Sequence, residues 1–278
     1  MKKTGLVLSD IHAGSAFGLL PPDFISAENN HIMQNSGQEY LYKQFEGLLK
    51  RLTPRQIDFI VVNGDTMDGE QRKSGGATLA LHRLSDQREA AYQLLRPWRH
   101  AFPKAEWHFV TGTPYHEVRA EVEQLTVMLF GEKQAVHRNL KLSIGDAVLS
   151  FNHEISGTGD LKGNAMEREI VRELTAMAEH GWTASDALVR SHLHTYRLLA
   201  RQDKLCLITP CWQLQTDFMN RKSTTAMIPS LGAVILDVDD GLKQYGLCPV
   251  SVTPYLYRHP EPEIVAVEEM KKKAAGKC

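Results

Sequence analysis

Cysteine is scarce. Four occur in 278 residues, at positions 206, 211, 248 and 278, with no C-x-x-C pair. That excludes a dense disulfide framework and fits reduced thiols in a cytoplasmic protein. Cys206 and Cys211 fall in or beside an apolar, strand-like run, where a thiol is ordinarily inert packing. Long apolar runs are missing too. None approaches about 18 residues, so no membrane-spanning helix is expected. The short run of residues 6–8 behind Lys2 and Lys3 is cut by Ser9 and Asp10, which is too short for a signal-peptide core. Net charge is nearly absent: 32 Lys and Arg against 33 Asp and Glu leave −1. Such a balance argues against a protein that coats nucleic acid or an anionic membrane. There is no internal repeat and no low-complexity segment. The chain is 42% apolar and 23% charged, which excludes global disorder. Its length suits one or two domains with a large core. What is plentiful is histidine, at 12 residues.

Short apolar runs alternate with amphipathic stretches. Strands are expected at residues 4–9, 57–63, 106–111, 187–190, 197–208, 231–238 and 244–252. Residues 140–144 and 147–151 flank Gly145-Asp146, a hairpin signal. Leu41, Phe45, Leu48, Leu49 and Leu52 keep helical spacing up to Pro54, and further helices are expected over 79–102, 118–130 and about 166–180. Alternation first and a strand-rich end later predict an α/β domain of two layered sheets, over residues 1–258. A basic tail, 259–278, is expected to be frayed. Residues 13–38 make a long connection, the kind that often serves as an active-site lid.

Acidic and imidazole groups fall where the strands end. Asp10 and His12 follow the first strand, Asp65 the second, and His116 and Glu117 the third. His153 follows the hairpin, and His192 and His194 the next strand. In α/β sheets, sites form at the carboxyl ends of strands, so these groups are expected to converge on one crevice that holds metal. In an extended backbone, D-x-H and H-x-H place both side chains on one side. Each piece alone has an ordinary reading: Gly64-Asp65 as a turn, His153 as a hydrogen-bonded core residue, His192 and His194 as a pair without a ligand role. Their joint order after five strands favours the metal centre.

The order S-D-I-H (9–12), N-G-D-T-M-D (63–68), T-G-T-P-Y-H-E (111–117), N-H-E (152–154) and S-H-L-H (191–194) resembles the calcineurin-like metallophosphoesterases. The opening segments also resemble phage and prophage members. The resemblance covers about residues 5–240 and implies a four-layer α/β/β/α sandwich with two mixed sheets around two divalent metals. It implies that Asp10, His12 and His194 hold one ion, that Asp65 bridges, and that His153 and His192 serve the second. His116 would be the catalytic group, protonating the leaving alkoxide or stabilising the phosphoryl oxygens. A donor set of histidines and carboxylates suits Mn first, with Fe, Zn or Ni as alternatives, rather than Mg or Ca.

The chain departs from the family pattern where an Asn ligand is usual and residues 112–116 read G-T-P-Y-H. Thr113, a backbone carbonyl or water takes that place, or His116 itself moves onto the metal. A rival alignment through Asn152, His153 and Glu154 leaves no residue for the earlier histidine. Glu117 is placed either beside His116, orienting it, or at a helix start. Asn63 and Asp68 flank Asp65 as supporting or turn-forming residues.

The expected activity is di-metal hydrolysis of a phosphate ester by a metal-bridging hydroxide: a phosphodiesterase, including a nuclease acting on nucleotides or nucleic acid. Alternatives are a phosphomonoesterase, including a protein phosphatase, and an inactive binding scaffold. Residues 13–38 and 70–76 are candidates to cover the pocket, and the polar, basic loop 220–225 is read either as a phosphate contact or as an ordinary solvated loop. Nothing in the sequence specifies an oligomeric state.

Overall fold

The computed structural model describes residues 1–155, 162–222 and 228–260. In chain order its first half comprises β1 (Lys2–Leu8), β2 (Phe24–Ile25), β3 (His31–Ile32), α1 (Ser36–Leu52), β4 (Phe59–Asn63), α2 (Leu84–Ala101), β5 (Glu106–Val110), α3 (Arg119–Phe130) and β6 (Val136–His137). The second half comprises β7 (Asn139–Ile144), β8 (Ala147–Asn152), α4 (Lys162–His180), β9 (Ala187–Arg190), β10 (Arg197–Ala200), β11 (Leu205–Ile208), α5 (Asp217–Lys222), β12 (Leu231–Asp239) and β13 (Val250–Tyr257).

Alternation along the strands sets the layers, because successive side chains face opposite sides of a sheet. Leu6 and Leu8 of β1 and Ile60 and Val62 of β4 pack with Leu41, Leu48, Leu95 and Trp98 of α1 and α2. Val7, Phe59 and Val61, one position on, face Leu149, Phe151, Val189 and Leu207 of the other sheet. Leu188, Cys206 and Ile208 turn outward onto Met166 and Ile170 of α4. Three apolar interfaces separated by two sheets make a four-layer α/β/β/α sandwich.

The sheets run β13-β12-β1-β4-β5-β6 and β10-β11-β9-β8-β7. Both are mixed: β1, β4, β5 and β6 are mutually parallel, as are β8, β9 and β11, while β12, β13, β7 and β10 add antiparallel neighbours. The parallel strands therefore present their carboxyl ends to one edge of the sandwich.

Several boundaries differ from expectation. Residues 197–208 form two strands, because Arg201 donates its N–H to Lys204 in a turn between them. Residues 240–245 are a 3-10 turn closed by Gly246 in the left-handed region, so β13 begins at Val250 rather than 244. Helix α2 starts at Leu84 rather than 79, since Ala80 and Leu81 instead donate to the Gly14 carbonyl. Strands β2, β3 and β6 and helix α5 are additional. The long connection 13–38 is packed: Leu19, Leu20 and Phe24 are in the core, and Asn35 and Gln38 of the α1 capping box donate to the Ala16 and Ser15 carbonyls. Residues 223–225 of the basic loop and 261–278 of the tail lie outside the described residues. No described helix is long and apolar enough to cross a membrane.

Candidate functional site

The loops after β1 and β4 stay zipped beyond their strands. Asp10 donates its amide to the Gly64 carbonyl, His12 to Asp65 and Ala13 to Thr66, at 2.9–3.0 Å. Between these bonds the chain kinks rather than extends. Asp10, His12, Asp65, His192 and His194 all have φ between 48° and 68°. The D-x-H and H-x-H pairs therefore reach one crevice through left-handed turns, not through the same-side rule of an extended strand. Such a conformation costs on the order of 1 kcal/mol or more per non-glycine residue and persists only where the surroundings impose it. Below the crevice a hydroxyl relay ties the two sheets together: Asn63 Nδ2 donates to Ser191 Oγ at 2.6 Å, and Thr209 Oγ1 lies 2.7 Å from the hydroxyls of both Ser191 and Ser9.

Two clusters of donor atoms sit on this floor. In the first, His194 Nε2 is 3.2 Å from both Asp10 Oδ1 and His12 Nε2. In the second, Asp65 Oδ2 is 2.9 Å from His153 Nε2, and His192 completes a set whose atoms lie within 4.8 Å of one another. The carboxylates stand between the clusters: Asp65 Oδ2 is also 4.0 Å from His12 Nε2, and Asp10 Oδ1 is 3.8 Å from His153 Nε2. Each histidine's other nitrogen is occupied where a partner can be assigned. His12 Nδ1 donates to Asp68 Oδ1 at 2.8 Å and His153 Nδ1 to the Asn63 carbonyl at 2.8 Å, so both rings turn Nε2 inward.

The charges do not balance within the protein. The ion pairs of Asp10, Asp65 and Asp68 are with histidines among the described residues. Burial disfavours charge on all three carboxyls, yet the surrounding imidazoles hold each below the ordinary range. Burial likewise opposes a proton on His153, but Asp65 and Asp10 raise it to about 10. Burial lowers His12 and His192. Asp10 Oδ2, His153 Nε2 and His194 Nδ1 are buried without a hydrogen bond. Buried anions, inward-facing ring nitrogens and orphaned atoms at one place fit divalent cations, and three such clusters of His and Asp could hold a metal ion.

The third cluster is His12, Asp68 and His116. His116 Nδ1 donates to the Asp68 carbonyl at 3.0 Å and lies 3.3 Å from Asp68 Oδ1, leaving Nε2 outside these contacts. Asp68 is wholly buried and receives Gln71 Nε2 as well. The loop at 70–76 thus supports Asp68 through Gln71, while Arg72 is exposed and paired with Glu70. Glu117 does not touch His116. Its carboxylate accepts the amides of Thr66 at 2.7 Å and Gly112 at 2.5 Å, clamping the β4 and β5 loops together. Burial and the neighbouring Asp65 charge raise its pKa. Asp68 was legible as the last residue of N-G-D-T-M-D, but its two histidine partners were not.

Thr113 donates to Asp65 through its amide at 2.7 Å and through its hydroxyl at 3.2 Å. It steadies the carboxylate from behind. Asn152 bonds Asn139 and the Glu154 amide, away from the crevice. Gly112 has no room for a side chain: a Cβ would stand 2.0 Å from Asp65 Oδ1 and 2.3 Å from its amide nitrogen. Gly112→Ala is expected to lose about 1–3 kcal/mol of stability, read as a lower urea midpoint; an unchanged midpoint would contradict this packing.

No protein-family model matches the sequence, and no curated protein matches it. Solved structures do. A zinc-complexed Vps29 from Entamoeba histolytica is 14% identical, covering 92% of this chain and 99% of its own, with a TM-score of 0.45. An archaeal phosphodiesterase is 9% identical over 91% and 99%, at 0.44. A predicted phosphoesterase from Streptococcus pneumoniae is 14% identical over 86% and 85%, at 0.36. The motif order of this chain resembles the calcineurin-like metallophosphoesterases.

Proposed function

We propose that this chain is a metal-dependent phosphodiesterase in which Asp10, His12 and His194 hold one divalent ion and Asp65, His153 and His192 a second. The observation that carries the reading is the pair of interlocked clusters, with Asp65 within 2.9 Å of His153 and 4.0 Å of His12. An aspartate placed so can serve both sites. Divalent ions bound there supply Lewis acidity and a water that ionises near neutral pH. Mn is the first expectation, with Fe, Zn or Ni also suited to this donor set.

The chain's own residues do the rest. His12 and His153 are locked by Asp68 and the Asn63 carbonyl, so their donor nitrogens need no reorganisation. His116 is 22% exposed at its side chain, enough to meet a substrate. Burial works against a proton on His116, but Asp68 and Asp65 outweigh it and raise its pKa. In its protonated form it can give a proton from Nε2 to a leaving alkoxide. Divalent ions bound against Asp10, Asp65 and Asp68, with a protonated His116 beside them, would leave the crevice positive, the complement of a phosphodiester anion. Nucleotides and nucleic acid are substrates of that class.

The test is metal analysis of protein loaded with Mn or Zn, paired with assays on bis-p-nitrophenyl phosphate and p-nitrophenyl phosphate. Two ions per chain and turnover of the diester are expected. Turnover of the monoester alone overturns the diester reading. Absence of both metal and turnover leaves a phosphoesterase-fold scaffold.

A further inference from the structure

The G-T-P-Y-H segment, where the chain departs from the family pattern, carries an aromatic ring that the reaction leaves unused. Tyr115 precedes His116 and is 39% exposed. Its ring stands 4.9 Å from the His116 ring, centroid to centroid, at 87°. The His116 ring in turn stands 4.7 Å from that of His12, also at 87°. Three rings therefore form a file that leads from the first cluster to solvent. The side chain is 1% exposed at His12 and 22% at His116, and Tyr115 is more open still.

The backbone under this file is fixed from two sides. Within the turn, the Thr113 carbonyl accepts the amides of His116 at 3.0 Å and Glu117 at 2.8 Å. The Glu117 carboxylate ties the turn to the loop after β4 through the Thr66 amide. Opposite, Gly69 lies so close that a Cβ there would stand 2.7 Å from the carbonyl oxygens of both Tyr115 and His116. The turn that presents Tyr115 is thus ordered before a ligand arrives, which spares part of the cost of binding.

We propose that Tyr115 is a specificity residue that stacks on the base of a nucleotide ester whose phosphate lies at the ions. This rests on the reading of the two clusters as ion sites. The protein offers an ion cluster, a proton donor and an aromatic ring in that order; a nucleotide offers a phosphate, an ester oxygen and, beyond the sugar, a base. With the ester oxygen at His116, its substituent extends past that ring, to the side where Tyr115 stands. A base has a flat π-face that a simple alkyl or sugar ester lacks, and stacking on an aromatic side chain accepts any base. A net charge of −1 gives the chain no excess of basic groups with which to gather polyanions, so selection by an uncharged stacking contact suits it.

The experiment is calorimetric titration of the full, Mn2+-loaded chain with adenosine monophosphate and with ribose phosphate, both esterified at the primary hydroxyl of the sugar. The two ligands differ by the base alone. The wild type is expected to bind the nucleotide about 5–100-fold more tightly. Tyr115→Phe keeps the aromatic face and should keep that ratio. Tyr115→Leu keeps apolar bulk alone and should bring the ratio close to one, leaving ribose phosphate affinity where it was. In proton spectra the Tyr115 ring signals should move upfield with the nucleotide and not with the sugar phosphate. A ratio that survives in Tyr115→Leu overturns the proposal. So does a Tyr115→Leu variant that loses both ligands alike, since the ring would then serve to prop His116. A wild type that binds both ligands equally overturns the role of Tyr115 and keeps the phosphate site, whereas one that takes up no Mn2+ and binds neither overturns the ion sites as well.

Discussion

Asp65→Asn is expected to abolish occupancy of the second ion site, weaken the first, and lower turnover on the order of 10³-fold, equivalent to about 4 kcal/mol of transition-state stabilisation. The substitution keeps the shape of the side chain, and the amide of Thr113 can still donate to its oxygen. What disappears is the charge that faces both His153 and His12. An amide nitrogen near His153 Nε2 offers no lone pair, so one cluster loses a ligand and the other its nearby counter-charge. Metal content and kcat/KM should fall together while the circular dichroism spectrum is unchanged. A variant that keeps two ions and turns over within tenfold of the wild type would remove Asp65 from the centre of the mechanism.

His116→Ala is expected to separate what Asp65→Asn joins. The ions stay, and kcat falls by about 10²–10⁴-fold, the usual contribution of a positioned general acid. The pH profile gives the sharper readout. Burial pulls the His116 pKa down, Asp68 and Asp65 pull it up by more, and the net shift is upward from 6.5. The useful form is protonated, so activity declines as pH rises through that raised value, and the alkaline limb should vanish in His116→Ala. Asp68→Asn removes a raising partner and should move the same limb to lower pH. It also leaves His12 Nδ1 a neutral amide oxygen in place of a carboxylate and so weakens metal binding, a combination that neither neighbour gives alone. Loss of an ion in His116→Ala would instead make His116 a ligand.

The architecture was legible because the strands alternate or run apolar to their ends and then stop at a polar residue. β4 is buried throughout and is followed at once by Gly64 and Asp65. Spacing could bring Asp10, His12, Asp65, His153, His192 and His194 to one edge, but not orient them. The left-handed turns that aim five of them are set by bonds between loops distant in sequence, such as His12 to Asp65 and Trp212 to Asp10. Adjacency misled at Glu117, which follows His116 in the chain but binds Thr66 and Gly112, whereas Asp68, 48 residues away, holds the ring.

The left-handed donors carry a consequence for how this protein can change. Glycine or asparagine would relieve the backbone at positions 12, 192 and 194, where a histidine now stands. The exchanges that most readily toughen the fold are therefore those that dismantle its chemistry. Selection for robustness alone would erode the crevice first, and a lineage that keeps all five residues must be held there by what the crevice does.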